Sequence, residues 1–483
     1  MGERATRPLS VRLRPREQRA VLFIGDVAAS YLAIFVGKYA WLLYSWYKLI
    51  SSGMPPLRAV RFFPSVTEPD WYYFLPIIWL MLIIELYDLH VAASVRRTRS
   101  GITTAALVGF ILYAVIFVTV RNPETLPRVI VGAYIALASL LTLGWRLIYI
   151  RYYTSPDFMR RILVIGAGKA GRTLVEAYRK ISPPPFQFVG FIDDDLVKVG
   201  KQFEGYPVFG SSEQLLNIIE EQKITDLVVG IMGEMEGFTF QTILDAQERG
   251  AEVVPMPTVY EEMVGRVPIH HLESDWILRS FVDQARVSGF FDLFKRFLDI
   301  LGGLVGVGIL ALAFPFVAIA ILIDSGWPIF YSQSRLGRHG DVFKISKFRT
   351  MHQNAEADGK ARLASENDPR VTRVGNFLRK TRLDELPQFW TVLRGGMSLV
   401  GPRAERPELV AEFQKQIPFY RARLLVKPGL TGWAQINYGY VTNVTETAVK
   451  LEYDLYYIKH RTVIMDIQII LRTVGTVFRG AGR

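Results

Sequence analysis

Four stretches of this chain are long and apolar enough to cross a bilayer, and they constrain everything else it can do. They run Ala20–Tyr44, Trp71–Leu89, Thr104–Val120 and Val129–Ile150. A helix needs about 20 apolar residues to span the hydrocarbon core, and soluble domains seldom carry four such segments in series. Half of the 483 residues are hydrophobic and the mean hydropathy is +0.20, which suits a chain in contact with lipid. The N-terminus is basic (Arg4, Arg7, Arg12, Arg14, Arg16, Arg19) and precedes the first stretch as the n-region of a signal peptide would. That stretch is too long for a signal peptide, lacks a small-residue cleavage site, and is followed by more spans. Basic clusters at Arg96, Arg97 and Arg99 and at Arg151, Arg160 and Arg161 place the second and fourth exits in the cytoplasm. Asp26 and Lys38 fall within the first span; charge is costly there, so both are expected to face protein or the interface.

The formal charge of +12 suits a partner with phosphates or an anionic membrane surface. Nucleic acid is not indicated, because no run interleaves Lys/Arg with aromatics and no zinc-type spacing occurs. With no Cys in the chain, disulfides and thiolate chemistry are excluded.

After the four spans, residues 160–271 alternate strand and helix patterns, which implies a parallel α/β domain. Arg161–Ile165 reads as a buried strand leading into Gly166-Ala-Gly168-Lys-Ala-Gly171 and a helix. A second strand, Gln187–Ile192, ends at Asp193. Glycines at this spacing, followed by an acid about 20 residues on, meet the dinucleotide-binding fingerprint. NAD or another nucleotide is therefore a candidate ligand, with Gly166, Gly168, Gly171 and Asp193 as its loop. Redox catalysis would also need a Tyr-x-x-x-Lys relay, and that spacing occurs at Tyr44 and Lys48, at the end of the first span. That position cannot serve this domain, so redox catalysis is not expected; a structural or regulatory Rossmann-like module is favoured, and cofactor binding stays open beside it.

A fifth apolar block, Phe297–Ile323, has Lys295 and Arg296 before it and Arg335, Arg338, Lys344 and Lys347 after it. Basic residues at both ends favour the cytoplasm for both, and Pro315 near its middle removes a helix hydrogen bond. The expectation is a re-entrant helix–break–helix within 286–327 that dips into one leaflet and returns; a straight span is the alternative.

The densest chemistry follows. Asp384-Glu385 lies in Leu378-Arg-Lys-Thr-Arg-Leu-Asp-Glu-Leu-Pro-Gln388. Phosphoryl transfer needs a nucleophile, a divalent metal and cations on the diphosphate. A carboxylate can attack phosphorus while its neighbour holds Mg²⁺ (or Mn²⁺) through hard oxygen. Arg379, Lys380 and Arg382 are close in sequence and able to offset phosphate charge. Taken alone, an Asp-Glu pair is commonplace. Around it, in order, come Lys344-Ile-Ser-Lys-Phe-Arg-Thr-Met351, Asn367-Asp-Pro-Arg-Val-Thr-Arg373, Met397-Ser-Leu-Val-Gly-Pro-Arg403 and Lys427-Pro-Gly-Leu-Thr-Gly-Trp-Ala-Gln-Ile-Asn437.

Together these motifs resemble the polyprenyl-phosphate hexose-1-phosphate transferases, the monotopic phosphoglycosyl transferases of bacterial glycan assembly. The likeness covers about residue 290 to the C-terminus and includes Lys295, Arg296 and Pro315. It implies Asp384 as the nucleophile and Glu385, with Asp384, at the metal. It places Lys347, Arg349, Arg379 and Arg403 toward phosphate or nucleotide. It further implies a UDP-hexose donor, an undecaprenyl phosphate acceptor and UMP as product, in a multi-pass protein of the bacterial inner membrane. Contact with membrane lipids follows, and a homodimer is compatible with this organisation. The sequence departs from the family pattern at Phe314 and Arg382, where Ser is common, at Gly396, where Asp is common, and at Ala404 in place of a Pro. Only the Ala404 change bears on the nucleotide loop.

The expected fold is thus a membrane protein of α and α/β parts. It has a basic tail over 1–19, four transmembrane helices over 20–152 and a Rossmann-like domain over 160–271. The re-entrant helix and a mainly helical cytoplasmic catalytic domain over 328–483 complete it. Val463–Phe478, apolar at helical spacing, would close the chain as an interfacial helix or one packed on the core. Two rival readings stand beside the transferase: a membrane-anchored NAD-dependent sugar epimerase or dehydratase, and a non-catalytic scaffold for polysaccharide assembly.

Overall fold

The computed structural model of the chain describes residues 15–53, 55, 70–119, 128–153, 159–233, 235–271, 289–352, 368–439 and 443–478. The basic tail up to residue 14 and Asn367 lie outside the described residues. Two compact units result, one of Met1–Gly230 with Glu236–Val254, the other of Ile231–Met235 with Pro255–Arg483.

In the first unit, three apolar stretches fold as single long helices: α1 (Pro15–Ser51), α3 (Val95–Thr119) and α4 (Arg128–Tyr153). At about 1.5 Å per residue each exceeds the hydrocarbon thickness of about 30 Å. The second expected span, Trp71–Leu89, is not one helix. It resolves into a 3₁₀ turn Asp70–Phe74, a short α2 (Leu75–Leu82) and a 3₁₀ turn Ile84–Tyr87. Two physical reasons are visible. Pro76 belongs in the first turn of a helix, which starts α2 late. Arg146 of α4 takes the Leu86 carbonyl at 2.6 Å, so the backbone there bonds outward.

Arg146 also answers for Asp26. The two side chains are fully buried and paired at 2.6 Å, which removes much of the cost of charge in an apolar bundle. Further polar contacts tie the helices together: Ser30 with Tyr134 at 2.6 Å and Trp79 Nε1 to Thr142 at 3.1 Å. Lys38 is half-buried.

The α/β part of this unit is a four-stranded sheet in the order β2-β1-β5-β6. Its strands are β1 (Arg161–Ile165), β2 (Gln187–Ile192), β5 (Asp226–Val229) and β6 (Glu252–Pro255). A small β3–β4 pair (Gln202–Phe203, Tyr206–Pro207) flanks it. β1 is central and pairs in parallel with β2 and β5, so its Ile162–Ile165 run is buried on both faces. Helices α5 (Lys169–Arg179), α6 (Leu215–Glu221) and α7 (Gly237–Glu248) connect the strands.

The expected end of this domain at residue 271 needs correction. From Pro255 onward the chain belongs to the second unit. There α8 (Met256–Val264) offers the buried Glu261 to Lys459 at 2.9 Å and His460 at 2.8 Å. Trp433 Nε1 donates to the Gly265 carbonyl at 2.8 Å, and the Val267 N–H to the Glu452 carbonyl at 3.1 Å. Apolar periodicity places a helix here, but not which neighbour claims it.

The second unit is built along α9 (Gly289–Ser325), a continuous 37-residue α-helix with Pro315 inside. The expected break at Pro315 does not interrupt it. One stripe of the helix packs on the domain for almost its whole length, and this holds the frame across the missing N–H. Asp299 accepts from Ser398 Oγ and Leu399 N, each at 2.8 Å. Gly303 admits Leu393, since a Cβ there would lie 2.7 Å from it, and Gly306 likewise admits Phe389. Val317, Ala318 and Ile321 enter a buried cluster with Phe348, Leu378 and Leu386, and Asp324 accepts from Val374 N at 3.2 Å. The opposite side exposes Phe297, Leu304, Leu312, Phe316 and Ile323.

The remaining elements surround this stripe. They are the hairpin β7–β8 (Phe330–Leu336, Val342–Phe348), α10 (Arg373–Thr381), α11 (Gln388–Arg394) and the parallel pair β9–β10 (Ser398–Val400, Gly429–Thr431). Helices α12 (Pro407–Phe413), α13 (Trp433–Asn437), α14 (Val444–His460) and α15 (Val463–Phe478) complete it. In α15, Met465 and Ile469 are buried in the core while Ile464 and Val474 are exposed.

Candidate active site

Asp384 and Glu385 lie on a 3₁₀ turn, Leu383–Glu385, between α10 and α11. Thr372 caps the start of α10 by accepting from Gly375 N at 2.9 Å. Arg382 ends it in the left-handed region at φ 59°, and Pro387 at the head of α11 keeps the two helices from merging. The turn buries Leu383 and Leu386 downward and sets the two carboxylates, each 8% exposed, at its rim.

Their surroundings differ sharply. Glu385 Oε1 accepts from Lys347 Nζ at 2.7 Å and from Arg403 Nη2 at 2.8 Å, while Oε2 lies 3.5 Å from Arg382. Burial pushes Glu385 toward its neutral form, but Lys347, Arg403 and Arg382 outweigh it and hold the carboxyl well below the usual range. Asp384 accepts no hydrogen bond among the described residues; Lys347 approaches to 4.0 Å. Burial first, and the adjacent Glu385, push its pKa up to about 6 against the pull of Lys347, Arg403 and Arg379. Burial likewise pulls Lys347 down, opposed by Glu385.

Each cation arrives by a separate route. Lys347 comes from β8, one residue before the buried Phe348. Arg403 follows β9 on a loop that lies against β10, and a Cβ at either Gly401 or Gly429 would collide with the facing backbone. The glycines of those two motifs are thus a consequence of close approach. Arg379 donates to Thr350 Oγ1 at 3.0 Å and acts on Asp384 through its charge. Lys380 is exposed.

Arg349 is engaged through one nitrogen, and its Nε and Nη1 are buried with no hydrogen-bond partner among the described residues. Its Nη2 is spent on the end of α9, on the Ser325 carbonyl at 2.7 Å and on the Gly326 carbonyl. Lys295 and Arg296 are also engaged within the domain. Lys295 donates to Asp466 at 2.7 Å, the Val400 carbonyl at 3.0 Å and Tyr457 at 3.1 Å; Arg296 caps α11 at the Val392 and Leu393 carbonyls. Read from sequence as flanking charges for the leaflet, both are consumed by the domain.

Sequence reasoning missed the layer behind Arg403. Arg423 donates to the Arg403 carbonyl at 3.0 Å and to Asp454 at 2.8 Å, and Glu405 binds Lys450 at 2.9 Å. Lys450, Arg423 and Arg335 hold Glu405 down to about 2 despite its burial. The charged run Arg403-Ala-Glu405-Arg406 was the available signal.

Among the described residues no three Asp, Glu, His or Cys side chains converge on a metal position. Mg²⁺ commonly takes one or two carboxylates and completes its shell with substrate phosphates and water. Asp384, with no donors of its own, fits that requirement. Glu385, engaged by three cations, does not fit it as placed.

The glycine loop contrasts with this site. Gly166 sits at φ 103°, a Cβ at Gly171 would lie 2.8 Å from Phe191 and the Gly166 carbonyl, and one at Gly168 would meet nothing within 4 Å. Asp193, the expected ribose partner, is already engaged. It accepts from Ala167 N at 2.7 Å, Asp195 N at 2.9 Å and Lys198 Nζ at 3.0 Å.

With this geometry in hand, comparison with known proteins adds two family matches. A model described as bacterial sugar transferase matches residues 290–480, and one described as CoA-binding domain matches 83–232. The UDP-N-acetylgalactosamine-undecaprenyl-phosphate N-acetylgalactosaminephosphotransferase of Aeromonas hydrophila is 39% identical over 224 residues, covering 46% of this chain and 52% of that protein. The UDP-glucose:undecaprenyl-phosphate glucose-1-phosphate transferase of Escherichia coli (strain K12) is 34% identical over 327 residues, covering 65% and 67%. The exopolysaccharide production protein PSS of Rhizobium leguminosarum bv. phaseoli is 37% identical over 195 residues, covering 39% and 97%. The chain thus spans about half the length of the Aeromonas relative and nearly all of the Rhizobium one.

Proposed function

The chain belongs to the bacterial sugar transferase family, and on that footing we propose that it passes a sugar-1-phosphate from a UDP-hexose to undecaprenyl phosphate through a covalent intermediate on Asp384. The observation that carries this reading is the asymmetry of the carboxylate pair. Asp384 is buried and without hydrogen-bond donors, while Glu385 gathers Lys347, Arg403 and Arg382 beside it.

An Asp384 oxygen attacks the sugar-bearing phosphorus, and the bridging P–O bond breaks toward UMP. Lys347 and Arg403 offset the charge that develops on the phosphoryl oxygens. The phosphate of the lipid then attacks the same phosphorus, the acyl phosphate bond breaks, and Asp384 returns as carboxylate. No water is consumed in either step, and burial of the turn keeps hydrolysis from competing. A divalent cation held by Asp384 and the diphosphate oxygens would supply Lewis-acid polarisation of the transferred group.

The same reading places the catalytic domain in the cytoplasm, on the inner membrane of a bacterium, at the start of exopolysaccharide assembly. Both ends of α9 touch one domain, from Lys295 to Asp324. A helix passing straight through a bilayer about 30 Å thick would carry those ends to opposite sides. An unbroken helix that lies along one leaflet keeps the domain whole and lets its exposed apolar side meet lipid.

The relatives differ in the sugar their names give, so the donor is a matter for experiment. A screen of UMP release over UDP-sugars, with undecaprenyl phosphate and Mg²⁺, should single out one donor; no release with any donor would defeat the reading.

A further inference from the structure

Phe314, on α9 beside Pro315, lies face to face with Phe330 of β7, ring centres 5.8 Å apart and planes 12° from parallel. Phe330 lies in turn on Phe348 of β8 at 5.3 Å and 17°, the two being directly opposite in the hairpin register. Phe348 is 1% exposed, whereas Phe330 and Phe314 are 42% and 37% exposed. The stack therefore has a buried end and an open end.

Each end leads somewhere. The buried end shares a cluster with Leu386, and Leu383 packs on that cluster; these residues bracket Asp384-Glu385. The neighbour of Phe348, Lys347, reaches Glu385 at 2.7 Å. The open end borders the exposed apolar side of α9 through Ala311, one turn before Phe314 and on the same face as Leu304, which is 59% exposed. An apolar ramp thus runs from the side of the helix that faces lipid to the floor of a site ringed with cations.

An occupant of such a ramp has a hydrocarbon tail and an anionic head. A bulk phospholipid has both, but its phosphate is a diester buried between two substituents and has no reason to reach Asp384. The acceptor in the proposed reaction has a terminal phosphate that must come within bonding distance of phosphorus on Asp384. Its flat, methyl-substituted isoprene units suit the edges and faces of aromatic rings. We propose that Phe314 and Phe330 seat the first isoprene units of the acceptor and so aim its phosphate at the site. This rests on the transferase reading and adds to it the residues that select the lipid. Phe314 stands where the resemblance leads one to expect Ser, so this chain would use the ramp more strongly than relatives with Ser.

The two half-reactions separate the possibilities. Labelling of the full-length protein by a radioactive UDP-sugar without lipid reads the donor step. Discharge of that label onto undecaprenyl phosphate reads the acceptor step. Phe314→Ser and Phe330→Ala should each raise the undecaprenyl phosphate concentration needed for half-maximal discharge by about tenfold, while labelling proceeds and so reports a folded site. Phe314→Tyr, which keeps the ring, should stay close to wild type. Wild type should also prefer farnesyl phosphate to a saturated alkyl phosphate of similar length, and Phe314→Ser should narrow that preference. The inference is overturned if discharge is unchanged in both variants. It is also overturned if labelling and discharge fall together with release from phosphatidylglycerol vesicles, because the rings then serve only as an anchor. Wild type that takes no label from any UDP-sugar sinks the underlying reading, and this inference with it.

Discussion

Two acidic residues in this chain sit at the end of a structural element beside a phosphate-friendly motif, and their surroundings could hardly differ more. Asp193 closes the glycine loop on itself through Ala167 N, Asp195 N and Lys198. Asp384 accepts no hydrogen bond among the described residues and lies at the edge of a cluster of cations drawn together by its neighbour. A carboxylate with every lone pair engaged is stable and inert. One that is buried, charged and undersatisfied costs free energy to hold, and such groups concentrate where chemistry is done. The proposed division, with the glycine loop as architecture and the Asp384 turn as the place of reaction, rests on this contrast.

Substitutions at the two sites put the contrast to use. The largest effect belongs to Asp384→Asn, which keeps shape and removes the attacking charge; steady-state UMP release should fall by about 10⁴-fold or more. Glu385→Gln comes next. It leaves Lys347 and Arg403 without the charge that gathers them, and turnover should fall about 100-fold, with a raised requirement for donor. If Glu385→Gln cost as much as Asp384→Asn while labelling survived only in the latter, the two roles would be reversed.

A smaller effect concerns pH. Burial raises Asp384 to about 6, and the attacking species is the ionised one, so the group is protonated and silent below that value. The rate of labelling should therefore climb roughly tenfold between pH 5 and pH 7 and level off above it. Added divalent metal should draw the midpoint lower, because a cation favours the ionised form. A rate that falls over this range would mean that a protonated Asp384 is needed. The smallest effect is expected at the other pole of the comparison. Asp193→Asn loses a charge-assisted bond to Ala167 N and the Lys198 pair, worth about 1–2 kcal/mol. Melting temperature should drop by a few degrees while turnover stays within about twofold. A large loss of turnover would make the glycine loop part of the reaction after all.

Much of this was legible in the sequence, and the gaps have physical causes. Three of the first four apolar segments fold as helices long and apolar enough to cross a membrane, because hydropathy reads long apolar runs directly. The segment after Trp71 broke up because Pro76 and the claim of Arg146 on the Leu86 carbonyl act over distances that a hydropathy window does not see. Pro315 suggested a break, but a stripe of contacts from Asp299 to Asp324 holds α9 in one piece. The fold brings Lys347, Arg403 and Asp384-Glu385, which the resemblance had grouped, to one place. The motifs could not divide the labour between neighbours. That Glu385 takes the close cation contacts while Asp384 accepts no hydrogen bond among the described residues, and that Arg349 Nη2 goes to the end of α9, depends on side-chain directions fixed by tertiary packing.

The central claim is that Asp384 carries the sugar phosphate. The direct measurement is the intact mass of the full-length protein after incubation with its UDP-sugar and Mg²⁺ in the absence of lipid. Wild type should gain the mass of one hexose phosphate, which peptide mapping places on Asp384 and which undecaprenyl phosphate then removes; Asp384→Asn should gain nothing. An adduct of equal yield on Asp384→Asn, or brisk transfer to lipid by a wild type that never carries the added mass, would contradict the account.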